Sequence, residues 1–278
     1  MDYLRPADVA KAMVETGSRK LTLSISDLLI RGMLSGAILG VATSLAFNAS
    51  FTTGQPLVGA LIFPVGLVMI VLLGLELITG SFALLPLPWL RGEATASAVI
   101  ANWGWVFLGN LIGSVAYGAL LAIALTDMGA IAPAGVAARL IAAAEAKTTG
   151  YEAFGFAGMV TAFVKAMLCN WMVCLAVVLA MGTTSTIGKI ATAWMPILIF
   201  FAQGFEHSVV NMFIIPTGMM MGAKVTVAQW WLWNQIPVTL GNFVGGFVFT
   251  GLAIYMTYRP QPSAQPVRVA GASQVPAE

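Results

Sequence analysis

The most informative segment of this chain is Gly204-Phe205-Glu206-His207-Ser208-Val209-Val210-Asn211-Met212, which lies in the middle of a long apolar run. It contains the only histidine of the chain, directly after a glutamate. Ionisable side chains at membrane depth are costly to bury, so by default they mark a functional site. Two interpretations are open at this point: the glutamate and the histidine satisfy each other in a buried core, or they serve a function.

The composition indicates an integral membrane protein. The chain has 278 residues, of which 59% are hydrophobic and only 9% charged, and its mean hydropathy is +0.90. Soluble domains carry about 25% charged residues. A net charge of +2, without a basic cluster that contains aromatic residues, gives no reason to expect a nucleic-acid partner. One histidine and two cysteines within one apolar run complete no metal site, and we expect no cofactor.

Six apolar segments are long enough to cross a bilayer. The second and fifth are too long and too polar in the middle to be simple helices, so we predict that both are broken. The flanking regions are polar: residues 1–27 suggest an amphipathic helix on the membrane surface or against a neighbouring subunit, and residues 259–278 suggest a disordered tail. The six-helix domain is therefore predicted to span residues 28–258. The predicted spans are residues 28–47, 56–90, 98–125, 158–181, 190–221 and 234–255.

The distribution of positive charge predicts the orientation, because Lys and Arg accumulate on the cytoplasmic side of membrane proteins. With both termini cytoplasmic, nine basic residues fall inside and four fall outside or in the outer half. We therefore expect a multi-pass protein of the cell (inner) membrane with both termini in the cytoplasm. The inner nine are Arg5, Lys11, Arg19, Lys20, Arg31, Arg91, Lys189, Arg259 and Arg268, and the outer four are Arg139, Lys147, Lys165 and Lys224.

The second half of the sequence repeats the first. Residues 74–76 (GLE) match 204–206 (GFE) at an offset of 130, and residues 108–113 (LGNLIG) match 240–245 (LGNFVG) at 132. A weaker match relates residues 31–34 to 165–168. Because each half holds three spans, the second half enters the membrane from the opposite side, which predicts a 3+3 inverted repeat.

In such a repeat the two broken spans meet near the midplane. Irregular backbone is tolerated there only where it lines a cavity, and the positive N-terminal ends of half-helices favour an anion. Glu76 and Glu206 lie at equivalent breaks, where we expect each to accept hydrogen bonds from freed backbone N–H groups. His207 has no ionisable counterpart, since Leu77 takes its place in the first half. This asymmetry favours a functional His207.

Several long motifs resemble the formate/nitrite transporter family: residues 204–216 (GFEHSVVNMFIIP), 168–176 (LCNWMVCLA) and 235–246 (QIPVTLGNFVGG). The resemblance covers residues 18–258, and residues 74–85 with 91–95 are most similar to the nitrite-transporter branch. It implies an all-α polytopic membrane protein of six transmembrane helices with an aquaporin-like protomer, assembled as a homopentamer around a lipid-plugged central hole.

The resemblance also implies roles for individual residues. Leu77 and Thr79 would face the pore, with Thr79 positioned to hydrogen-bond His207. Asn170 would line the pore from the fourth span, and Lys147 would draw anions into the outer vestibule. Support for the helix breaks is assigned to Glu76, Glu206 and Asn211.

The expected function is a channel or transporter for a small monovalent anion. Nitrite is the first expectation, by branch-level resemblance. Formate is the alternative, followed by bicarbonate, hydrosulfide and lactate. His207 would assist passage through an apolar pore by donating a hydrogen bond or a proton. An intramembrane enzyme is a remote alternative, because the sequence has no Gly-x-Ser-x-Gly nucleophile motif. An aquaporin or glycerol channel is disfavoured, since no Asn-Pro-Ala repeat is present.

Overall fold

The computed structural model describes residues 2–258, and in this range the chain is built from helices. The tail predicted at residues 259–278 lies outside the described range. The helices are α1 (Pro6–Leu21), α2 (Ile25–Thr53), α3 (Pro56–Leu72), α4 (Ile78–Leu90), α5 (Ala96–Thr126), α6 (Val136–Ala146), α7 (Thr149–Glu152), α8 (Gly155–Met181), α9 (Thr186–Ala202), α10 (Ser208–Met220) and α11 (Val227–Tyr258).

Four long helices (α2, α5, α8 and α11) are long and apolar enough to cross a membrane, and the two remaining spans are broken as the sequence predicts. In the fifth span, α9 has 17 residues and α10 has 13. At 1.5 Å per residue they measure about 26 and 20 Å. Their sum exceeds the roughly 30 Å of a bilayer core. The two half-helices are therefore too long together for one straight span and are separated by the non-helical residues 203–207, and the predicted fold class is confirmed.

The two breaks have the same backbone geometry. Gly74 and Gly204 have φ angles of +62° and +65°, a left-handed conformation that glycine adopts without a steric penalty. The next residue in each case donates its N–H back across the turn, from Leu75 to Ile70 O (3.0 Å) and from Phe205 to Phe200 O (3.2 Å). These bonds end α3 and α9 in the manner of a Schellman motif. The repeat seen in the sequence is thus a repeat of local structure.

Glycines hold the long helices together in equivalent pairs. Glycines of the first span pack against α5, where a Cβ on Gly36 would collide with the backbone of Asn110. In the second half, a Cβ on Gly245 would collide with the backbone of Met167, so α11 packs on α8 in the same way. Small residues at such crossings let two backbones approach closely.

Gly113 on α5 offers a test of this packing. We expect Gly113→Ala to destabilise the protein by about 1–3 kcal/mol, because the new methyl group would collide with the backbone of Met33 and would force α2 and α5 apart. The measurement is the thermal unfolding midpoint of the purified protein in detergent. Gly104→Ala is the matched control on the same helix. It has no neighbouring atom within 4 Å, so it should be neutral or stabilising by up to about 1 kcal/mol. Equal effects of the two substitutions would contradict this account.

Helix α1 packs against its own protomer. Its buried face includes Val9, Met13 and Gly17. A Cβ on Gly17 would lie 2.5 Å from the carbonyl oxygen of Leu84, so α1 and α4 are in close contact. The apolar face of α1 is therefore covered by the broken second span.

Helix α6 lies in the connection that the sequence analysis left without structure. It buries Ala137, Leu140 and Ala144, and it packs against α10 and α2. Residues 133–137 (PAGVA) repeat residues 6–10 (PADVA) at an offset of 127. Helix α6 is thus the counterpart of α1, and the repeat begins before the first span.

Both described ends of the chain lie on one face of the bundle, which we call the terminal face. The Leu4 N–H donates to Gly182 O (2.8 Å), and α1 also packs against the end of α11. The other side, which carries α6 and α7, is called the opposite face. Many large apolar side chains on the long helices are exposed, including Ile100 and Leu120. Such a surface is normally covered by lipid or by other subunits.

Candidate functional site

The two helix breaks bring His207 and Thr79 together at the centre of the bundle. His207 is 3% exposed and Thr79 is fully buried. The Thr79 hydroxyl lies 3.2 Å from His207 Nε2, although the two residues are 128 positions apart. Leu77, the counterpart of His207, is also buried and occupies the N-cap position of α4, as His207 does in α10, but only the histidine side chain accepts a capping hydrogen bond. The pair that the family resemblance implied is therefore within hydrogen-bonding distance.

The capping role of His207 defines the state of its ring. The backbone N–H of Val210 donates to His207 Nδ1 at 3.2 Å. A backbone N–H can only donate, so Nδ1 must carry a lone pair. In this conformation the imidazole is therefore neutral and its proton is on Nε2. That proton points toward the Thr79 hydroxyl and the centre of the bundle.

Glu206 has three partners, and His207 is not among them. Its carboxylate accepts hydrogen bonds from Lys147 Nζ (2.7 Å), from the Tyr151 hydroxyl (2.8 Å) and from Asn211 Nδ2 (2.8 Å). Burial, together with the nearby carboxylate, raises the pKa of the Tyr151 hydroxyl well above its usual range, so Tyr151 remains a donor. The interpretation in which glutamate and histidine satisfy each other is wrong for this structure.

The first half of the chain contains an equivalent ion pair. Lys20 Nζ lies 2.6 Å from Glu76 Oε2, and both side chains are mostly buried. The lysine of each pair is fixed by an asparagine: Asn102 Nδ2 donates to Lys20 O (3.0 Å), as Asn234 Nδ2 donates to Lys147 O (2.9 Å). Lys20 was not among the site residues predicted from the sequence. The repeat of residues 6–10 at 133–137 was the available signal, because the same offset aligns Lys20 with Lys147.

The freed backbone groups at the breaks are bonded by asparagines, not by the glutamates as expected. Asn110 Oδ1 accepts from the Ile78 N–H (3.1 Å), and its Nδ2 donates to Glu76 O (2.9 Å). In the second half, Asn242 Oδ1 accepts from the Ser208 N–H (2.8 Å), and its Nδ2 donates to Glu206 O (2.9 Å). An amide can donate and accept at once, so one asparagine satisfies both groups of a broken turn, which a carboxylate cannot do.

Asn170 acts on the site through Thr79. Its Nδ2 donates to Thr79 O (3.0 Å) and to Asn242 O (2.6 Å). The Cys174 thiol also donates to Thr79 O at 3.2 Å. Asn170 is fully buried, and these contacts hold the Thr79 segment against α11.

Apolar layers flank the histidine. Toward the opposite face, the ring of Phe200 stacks on the His207 ring with centroids 5.8 Å apart, and Phe201 stacks on Phe63 at 4.0 Å. Toward the terminal face, Leu77 and Leu67 are almost completely buried. His207 is thus the polar group within an apolar stretch, and a bare charge in that stretch is strongly disfavoured.

A vestibule lies on each side of these layers. The terminal vestibule has a volume of about 560 Å³, and Lys20, Glu76 and Leu77 are among the residues that line it. The opposite vestibule has a volume of about 730 Å³, and Lys147, Lys165 and Glu206 line it. A role of Lys147 in drawing anions into the outer vestibule stays a prediction. Its ammonium group is, however, paired with Glu206, so the pair adds little net charge.

These features define a class of membrane transport protein: an inverted repeat of broken helices with two vestibules separated by an apolar stretch that contains a histidine. Residues 7–256 match the model of the formate/nitrite transporter family. The chain therefore belongs to the formate/nitrite transporter family, which is a family of transporters and channels and not of enzymes.

Similar proteins agree with this assignment. The chain is 39% identical to a probable formate transporter of Methanothermobacter thermautotrophicus, over 92% of this chain and 97% of the relative. An FNT family ion channel of known structure superimposes with a TM-score of 0.78 and 30% identity, over 90% of this chain and 98% of the other. A pentameric formate channel with formate bound gives a TM-score of 0.69 and 26% identity, over 84% and 97%.

Proposed function

We propose that the protein is a channel that conducts formate and related small monovalent anions, with the permeation pathway running past His207. The observation that carries the proposal is the Nε2 donor of His207 between two apolar layers. The names of the similar proteins favour formate over nitrite, which was the first expectation from the sequence. Nitrite stays a second candidate because it has the same charge and a similar size.

The proposed mechanism follows from the cost of moving a charge through apolar surroundings. An anion that leaves a vestibule loses its water between Phe200 and Leu77, and His207 Nε2–H replaces part of that hydration with one hydrogen bond. The N-terminal end of α10 adds a partial positive charge at the same point. His207 acts as a hydrogen-bond donor and not as an acid in this mechanism. A protonated Nδ1 would face the Val210 N–H, and two donors would then oppose each other.

The remaining residues have supporting roles in this proposal. Thr79 holds the Nε2 proton of His207 when no anion is present. Asn211 and the two glutamates keep the breaks in place through their ion pairs and amide contacts. Lys147 stabilises the break at Glu206. Lys165, which forms no salt bridge within residues 2–258, supplies positive charge to the opposite vestibule.

We also propose that the protein is a homopentamer in the bilayer of the cell (inner) membrane, with the terminal face in the cytoplasm. Support comes from the pentameric similar structure and from the nine basic residues assigned to that side. Chemical crosslinking of the detergent-purified protein tests the assembly. Cysteine labelling from each side of the membrane, at Thr22 and at Thr53, tests the orientation.

The substrate assignment is tested by uptake of labelled formate into proteoliposomes. We expect uptake well above that of protein-free liposomes, and we expect competition by unlabelled nitrite because both are small monovalent anions. Bicarbonate is the third competitor, and each measurement is made at two pH values. Nitrite uptake without formate uptake would overturn the formate assignment, and the absence of uptake of both would overturn the channel proposal.

A further inference from the structure

The terminal vestibule carries more positive charge than the passage of a monovalent anion requires. Three basic side chains line it in addition to Lys20: Arg19 from α1, Arg31 from α2 and Lys189 from α9. Glu76 is the only acidic residue that lines it among the described residues, and Lys20 already neutralises Glu76. A cavity of about 560 Å³ thus has three basic groups in excess.

The surroundings compensate this charge only in part. Asp27, which is itself exposed, pairs with Arg31 at 3.4 Å. The Arg19 guanidinium contacts the Thr16 hydroxyl at 3.5 Å. Within residues 2–258, neither Arg19 nor Lys189 forms a salt bridge. The three basic groups come from three separate helices that converge only in the folded protein.

Alignment of the two halves of the chain shows that the excess positive charge is specific to the terminal face. Arg31 has a counterpart in the opposite vestibule, Lys165, at an offset of 134. Arg19 aligns with Ala146 and Lys189 aligns with Gly59, so neither has a basic counterpart. The accumulation of Lys and Arg on the cytoplasmic side accounts for basic residues on this face, but it does not require three of them to line one cavity. An ion-conducting pore must bind its ion weakly enough to release it, so conduction does not require this cluster either.

We propose that the terminal vestibule binds a multivalent oxyanion of the phosphate class, and that the bound anion blocks the pore from that side. Guanidinium groups bind phosphate oxygens in a bidentate manner, and lysine adds a point charge. Leu77 closes the inner end of the vestibule. A multivalent anion cannot follow the substrate past it, because each added charge raises the cost of crossing the apolar layer. The blocking part of the inference depends on the proposed channel function, whereas the binding part does not.

The test uses the full-length protein in detergent and inorganic pyrophosphate as the probe. Binding is measured by isothermal titration at constant ionic strength, with chloride as the monovalent comparison, because screening alone weakens all charge interactions. We expect saturable pyrophosphate binding, and we expect the double variant Arg19→Gln/Lys189→Gln to bind about tenfold or more weakly, since it removes two charged hydrogen-bond donors to the phosphate oxygens. Lys224→Gln is the control, a basic residue on the opposite face, and it should bind like the wild type.

A second measurement examines the block. Formate efflux from proteoliposomes should fall when pyrophosphate is present on the terminal side, and this sensitivity should be lost in the double variant. The same titration in nanodiscs of zwitterionic and of anionic lipid identifies the source of the phosphate group. Weaker pyrophosphate binding in anionic lipid would mean that a lipid headgroup occupies the site, and equal binding would mean a soluble anion.

The outcomes separate the two proposals. Pyrophosphate binding without formate flux would overturn the channel function and leave the binding site. Formate flux without saturable pyrophosphate binding would overturn the site and leave the channel. Equal weakening of binding in the double variant and in Lys224→Gln would show nonspecific attraction and would also overturn the site.

Discussion

Replacement of His207 by asparagine is expected to lower formate flux by about ten- to a hundredfold. The reason is the loss of Nε2–H, because a hydrogen bond to a charged group contributes about 1.5–3 kcal/mol and each 1.4 kcal/mol corresponds to a factor of ten. Asparagine is a strong N-cap residue, so its side-chain oxygen can take over the bond from the Val210 N–H. The shorter side chain cannot reach the position of Nε2. Flux is measured with labelled formate in proteoliposomes at equal protein content.

Thr79→Ser is the matched control for His207. It keeps the hydroxyl that lies 3.2 Å from Nε2 and removes one methyl group, so flux should stay close to that of the wild type. The unfolding midpoint of both variants shows whether the bundle is intact. Wild-type flux in a correctly folded His207→Asn protein would remove the histidine from the mechanism.

Replacement of Lys20 by methionine is expected to cost about 3–5 kcal/mol of stability, because it leaves a buried carboxylate without its partner. Lys147→Met should cost less, although the two ion pairs are related by the repeat. Glu206 would keep the Tyr151 hydroxyl and Asn211 as donors. Glu76, among the described contacts, has no side-chain donor other than Lys20. The measurement is the unfolding midpoint in detergent, compared between the two variants.

A second substitution shows whether the cost comes from the unpaired charge. Lys20→Met/Glu76→Gln removes both charges and should recover a large part of the stability, because a neutral amide is less costly to bury than a carboxylate. If Lys147→Met is as destabilising as Lys20→Met, the additional donors to Glu206 contribute little and our account of the asymmetry is wrong.

The broken spans were predictable because they violate a simple rule of membrane sequences. A charged residue two positions after a glycine, in the middle of an apolar run, cannot remain in a lipid-facing helix. Glu76 and Glu206 mark both breaks in this way, and Gly74 and Gly204 mark where the half-helices end. The repeat then implied the inverted topology, since three spans per half reverse the direction of the chain.

The partners of the two glutamates could not be predicted from these motifs. Lys147 is 59 positions from Glu206, and Lys20 is 56 positions from Glu76. Helix α6, which delivers Lys147, lies in a region that looks like a loop because it is rich in alanine and is amphipathic only over a short length. The PAxVA sequence shared by residues 6–10 and 133–137 was the signal that related α6 to α1.

The choice between formate and nitrite as the substrate does not follow from the residues of the site. Both anions carry one charge and fit the same donor, so neither His207 nor the apolar residues beside it distinguish them. The expectation of nitrite came from resemblance to one branch of the family. Two of the three similar proteins described above are named for formate, and flux measurements are the direct test.

The sequence by itself determined the membrane class, the six spans, their two breaks and the inverted repeat, because each depends on hydrophobicity and local backbone chemistry. The tertiary structure alone decided three further points. Glu206 turns away from His207, the Val210 N–H selects the Nε2 tautomer, and Arg19, Arg31 and Lys189 converge on one vestibule. These points depend on where helices that are distant in the sequence cross each other. The crossing points are set by the packing of whole helix faces, and the residues near each site do not determine them.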